Sequence, residues 1–62
     1  MSDPVVAYVV QMHPGAHSDK VLREIMRRVG CGPTKAGNLL RAAVLRGEVR
    51  VEGLRVYPGE VA

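Results

Sequence analysis

Apolar residues fall along this chain in three blocks with helical or ambiguous period and one block with period two. Val5, Val6, Ala7, Tyr8, Val9, Val10, Gln11 and Met12 form the first block, preceded by Asp3-Pro4 and stopped by His13-Pro14-Gly15. A run of valine and tyrosine suits a buried strand, whereas the Val5, Val6, Val9, Val10 stripe and the Asp-Pro start suit a helix. A helix over about 4–13 is expected, because the later segments need a third packing partner. In the second block Val21, Leu22, Ile25, Met26 and Val29 share one helical face and Lys20, Arg23, Glu24, Arg27 and Arg28 take the rest. Ser18 is the expected N-cap, Asp19 suits the first turn, and Gly30 is the left-handed stop, which predicts a helix over about 18–29.

The third block opens at Gly32-Pro33 and closes at Gly47, predicting a helix over about 33–46. Its inward stripe reads Ala36, Leu39 or Leu40, Ala43 and Val44. Its outward side carries Thr34, Lys35, Asn38 and Arg41, with Leu45 at the margin. Gly37 costs about 1 kcal/mol relative to Ala in a helix interior, so a close approach to a second helix or to a ligand surface is expected there. After Gly47 the period becomes two. Residues 48–51 and 54–57 read as strands joined at Glu52-Gly53, which would set Arg50 directly across from Arg55 and turn Val49, Val51, Leu54 and Val56 toward the helices. Like charges facing each other on a hairpin are mildly unfavourable, and a phosphate backbone would supply the missing negative charge.

The chain has 62 residues, which predicts a single domain over residues 1–62 with one small core. Nine Lys and Arg against six Asp and Glu give a net charge of +3, unevenly spread: residues 1–19 carry −2 and residues 20–55 carry +6. Such a field favours a polyanionic partner. Two tyrosines and no Trp or Phe argue against a stacking platform for single strands. No apolar run reaches the roughly 20 residues of a membrane span and no leader pattern is present, so a soluble cytoplasmic or nucleoid-associated protein is expected, with no membrane partner. The parts of an enzyme are missing too. His13 and His17 are separated by a helix-breaking Pro14-Gly15, and Cys31 adds neither a usual metal set nor a nucleophile pair. Gly30-Cys31-Gly32-Pro33 lacks the Lys-Ser or Lys-Thr of a phosphate loop. No catalysis, metal, cofactor or small-molecule substrate is expected.

The run KVLREIMRRVGCGPTKAGNLLRAAVLRGEVRV, with Ser18 before it, resembles the helix-turn-helix and following wing of winged helix-turn-helix DNA-binding domains. The turn would be Gly30-Cys31-Gly32, with Cys31 at a position that usually holds a buried Leu; Ala36 and Leu40 match inward positions, and Ala43 replaces a larger side chain. The fold class implied is mainly α with a small β-hairpin. The function implied is sequence-influenced binding of double-stranded DNA, as a small transcriptional regulator or a phage- or plasmid-type factor. Helix 33–46 would enter the major groove, with Thr34, Lys35 and Asn38 meeting bases. Arg41, Arg50, Arg55, Arg28, Arg27 and Lys20 would meet the backbone. Pro33 and Gly37 reduce the side chains available for reading bases, which leaves binding through shape open. The competing reading is a protein-interaction module of the same fold, using Val5, Tyr8, Val9 and Met12 to hold a partner or form a homodimer.

Overall fold

The computed structural model describes residues 5–59, so the Asp3-Pro4 helix start lies outside the described residues. Elements follow in the order α1 (Val5–Met12), β1 (Ala16–His17), α2 (Ser18–Val29), α3 (Pro33–Leu45), β2 (Val49–Glu52) and β3 (Arg55–Pro58). Three helices thus precede an antiparallel hairpin, the three-helix-plus-wing arrangement expected from the sequence pattern. The core is aliphatic. It takes Val6, Val9 and Val10 from α1, Val21 and Ile25 from α2, Ala36 and Ala43 from α3, and Val49 and Val56 from the hairpin. The valine-rich first segment is helical despite its strand propensity because α1 packs against both other helices and the hairpin strands. Tertiary burial outweighs a propensity difference of tenths of a kcal/mol per residue.

Helix ends largely obey local chemistry. Gly30 adopts φ +75° and its N–H donates to the Met26 carbonyl at 2.8 Å, closing α2. Gly32 is extended and Pro33 occupies the first turn of α3. Cys31, between them, is partly buried against the core. The cap of α2 is not Ser18. His17 is the N-cap, its Nδ1 accepting from the Asp19 N–H at 3.1 Å, while the Ser18 N–H donates to the Leu54 carbonyl at 2.8 Å. The competing acceptor is strand β1, which sequence alone did not suggest. Ala16 pairs with Val56 and His17 with Arg55, giving a three-stranded sheet in the order β1-β3-β2.

The hairpin register differs from expectation. Val49 pairs with Pro58, Arg50 with Tyr57, Val51 with Val56 and Glu52 with Arg55, so the turn residues are Gly53 and Leu54. A turn at Glu52-Gly53 would force Glu52 to a positive φ. Moving the turn by one residue puts Gly53, at φ +63°, in the first central position of a type II′ turn, and leaves Leu54 at a negative φ. Arg50 therefore faces Tyr57 rather than Arg55, and no like-charge pair exists across these strands. Leu54 leaves the core-facing set and is exposed at the turn, and Val51 is exposed too. On α3, Ala36 and Ala43 define the inward line. Val44, about 100° farther round than Ala43, reaches the exposed flank rather than the core. A Cβ on Gly37 would meet nothing within 4 Å, so no neighbouring helix accounts for that glycine.

Candidate nucleic-acid interface

A helix advances about 100° per residue, so Thr34, Asn38, Arg41 and Leu45 lie within one narrow sector of α3, opposite Ala36 and Ala43. All four are exposed, Leu45 the most at 80%. Lys35 is exposed on one shoulder of this line, and the uncovered Gly37 backbone forms the other. Cation supply is dense here: from residue 25 to residue 47 the chain has no Asp or Glu but carries Arg27, Arg28, Lys35, Arg41 and Arg46.

The nine cations divide according to what they touch. Arg46 makes a two-point contact with the Glu48 carboxylate at 2.8 and 3.2 Å. That hydrogen bond raises the Arg46 pKa and lowers that of Glu48. Arg50 pairs with Glu52 on its own strand and lies over the Tyr57 ring at 5.0 Å. Arg55 donates from Nη1 to the Gly15 carbonyl at 2.9 Å, fastening the middle strand to the loop after α1. Arg27 and Arg28 share Glu24, each at 3.9 Å. Arg28 also covers the Tyr8 ring at 4.9 Å and donates to the Met12 sulfur at 3.8 Å. Lys20, Arg23, Lys35 and Arg41 remain, all exposed and without an acidic partner among the described residues.

The sequence-predicted residues therefore occupy three places. Thr34, Lys35, Asn38 and Arg41 sit together on the open side of α3. Lys20, Arg27 and Arg28 lie on α2. Arg50 and Arg55 lie on the sheet face away from the core, where neighbouring groups already hold them. Arg23 escaped the sequence reading. Its signal was present, since Glu24 stands three and four residues before Arg27 and Arg28 and engages both, leaving Arg23 uncompensated.

The residues considered for partner binding on α1 separate in the same way. Val9 is only 1% exposed and belongs to the core, so it is not on the surface as expected; Val5 is partly buried against that core. Tyr8 and Met12 are each 50% exposed and are bridged by Arg28. Among the described residues no three of His, Cys, Asp and Glu come together as a metal-binding group, and no helix is long and apolar enough to cross a membrane. Comparison with known proteins finds no matching family model, no matching curated protein and no matching solved structure.

Proposed function

We propose that this chain is a double-stranded DNA-binding domain, not an enzyme, in which α3 lies in the major groove. The observation that carries this reading is the open line of Thr34, Asn38 and Arg41 on α3, with Lys35 beside it and no acidic side chain on the helix. A duplex groove accepts a single helix, and the exposed Gly37 backbone lets it sit deep. Thr34, Lys35 and Asn38 are assigned to base edges, where Asn matches adenine and Lys matches guanine. Arg41 is assigned to phosphate, with Lys20 and Arg23 holding the backbone from α2. Arg27, Arg28, Arg50 and Arg55 would contribute only after loosening the contacts they already make. The role is that of a small transcriptional regulator or a phage- or plasmid-type DNA-binding factor. Titration of random and selected duplexes at low and moderate salt tests it. Binding that weakens on neutralising Lys35 and Arg41 supports the reading; no association with any duplex at low salt refutes it.

A second reading rests on the Tyr8–Arg28–Met12 patch, a half-exposed ring and thioether joined by a guanidinium. Aromatic, Met and Arg side chains are enriched in protein interfaces. Under this reading the domain holds another protein or a second copy of itself. Y8S then abolishes association in sedimentation, while changes at Lys35 and Arg41 have no effect.

A further inference from the structure

The Gly53-Leu54 turn places a bulky apolar side chain at the tip of the hairpin, where Leu54 is 64% exposed. Behind it Val51, on the core-side face of β2, is 42% exposed. Turn positions ordinarily take small polar residues that tolerate water, so leucine here is chemically out of place. The tip is also braced. The Leu54 carbonyl accepts from the Ser18 N–H at 2.8 Å, locking the turn to the first residue of α2. The next residue, Arg55, is tied to the Gly15 carbonyl at 2.9 Å, and the Gly15 N–H returns a bond to the Val56 carbonyl at 2.8 Å. An exposed leucine on a flexible loop would fold back on itself; this one is held out.

Its surroundings select a partner. The first turn of α2, against which the tip is locked, carries Lys20, which has no acidic partner among the described residues. Asp19 in the same turn is drawn toward His17, its carboxylate 3.7 Å from Nδ1. Glu52, across the turn, is engaged by Arg50. The apolar tip thus stands between Lys20 and Arg55, with the nearby carboxylates occupied. An apolar wedge flanked by cations matches a base step flanked by phosphates. We propose that Leu54 inserts from the minor groove between two stacked base pairs and bends the duplex, so that this domain deforms DNA as well as reading it. The inference rests on the DNA-binding reading above, and it adds an activity to the hairpin which α3 alone would not have. Side chains used this way elsewhere bend duplexes by about 20–90°.

The test uses a short duplex with a dye at each end, measured by energy transfer, beside an otherwise identical duplex with a single mismatch that is already partly unstacked. Wild type is expected to bring the ends closer and to favour the mismatched duplex by about tenfold, because part of the unstacking cost is removed. L54S is expected to lose both the end-to-end approach and the preference, while L54M, which keeps an apolar wedge, retains them. Thermal melting of each variant separates loss of the wedge from loss of the fold. Binding without bending, or an L54S variant that bends DNA as wild type does, overturns the wedge and leaves the groove assignment standing. Absence of any duplex binding overturns both, as does Leu54-dependent association with anionic lipid vesicles in place of DNA.

Discussion

Salt sensitivity provides the most direct measure of which cations meet phosphate. Each neutralised phosphate releases condensed counterions, so log K falls against log salt with a slope of about −0.9 per contact. Four cations lack an acidic partner among the described residues, namely Lys20, Arg23, Lys35 and Arg41. If these four make the contacts, the slope is about −3.6, and raising salt from about 50 to about 200 mM weakens binding by about 150-fold. K35Q/R41Q should reduce the slope to about −1.8 and the loss to about 12-fold over the same interval. Were Arg50 and Arg55 to leave Glu52 and the Gly15 carbonyl for phosphates as well, the wild-type slope would steepen to about −5.4. Fluorescence anisotropy on a labelled duplex across a salt series reads these slopes directly. A slope that is unmoved by K35Q/R41Q but halved by R50Q/R55Q would show that the hairpin, and not α3, faces the duplex. Sorting cations by their free state would then be the wrong guide to the interface.

Other expectations follow from single positions. G37A should stabilise the domain by about 0.5–1 kcal/mol, since the added methyl meets nothing, yet weaken duplex binding if the bare backbone faces the groove; urea melts and anisotropy check the two effects separately. G59A should destabilise by about 1–3 kcal/mol in the same melts, because its Cβ would press on the Gly47 carbonyl and lie 2.8 Å from the Glu48 carbonyl carbon. H17A removes the cap of α2 and should cost about 1 kcal/mol, with H17N restoring most of it; an unchanged urea midpoint for H17A would dismiss the cap. Glu48 has a lowered pKa through its hydrogen bond with Arg46, so the unfolded chain binds the proton more readily. Its contribution is complete above the ordinary carboxylate range and is lost as pH falls through the lower folded value. Thermal melts of E48Q should therefore decline less steeply on acidification than those of wild type.

Much of this architecture was legible because its signals are local. The stops at Gly30 and Gly47 and the 3.6-residue period of Val21, Leu22, Ile25, Met26 and Val29 require no knowledge of distant residues. The outward line of Thr34, Asn38 and Arg41 follows from the same periodicity. What escaped depends on contacts between remote parts of the chain. Strand β1 has two residues, too few for any period, and exists because Ala16 and His17 meet Val56 and Arg55. That meeting moves the α2 cap from Ser18 to His17. The hairpin register was open to better reading from sequence, because only Gly53 among the candidate turn residues tolerates a positive φ. Tyr8 and Val9 are adjacent and differ by half their surface in exposure, which a run of uniformly apolar residues conceals.

The division of the cations explains how so small a chain combines a fold with a charged face. Nine Val and Ala side chains, with Ile25 among them, make a core without a single Leu, Met or aromatic ring fully buried. Such a core leaves the surface to supply part of the bracing. Five arginines serve there: Arg46 at the end of α3, Arg50 and Arg55 across the sheet, and Arg27 and Arg28 along α2. Exposed ion pairs contribute at most about 1 kcal/mol each, so their value lies less in energy than in orienting the strands and helix ends. The arginine that reaches farthest, Arg55, holds β3 to a carbonyl forty residues away in sequence. By fixing the hairpin against α1 and α2, these contacts hold the open side of α3 and the Leu54 tip in a constant relation. A rigid duplex can be gripped at two points only by a protein that keeps its two points apart, so the paired arginines support binding without touching DNA. Neutralising them should alter how well the two points act together, seen as lost bending, before it alters the number of phosphates held.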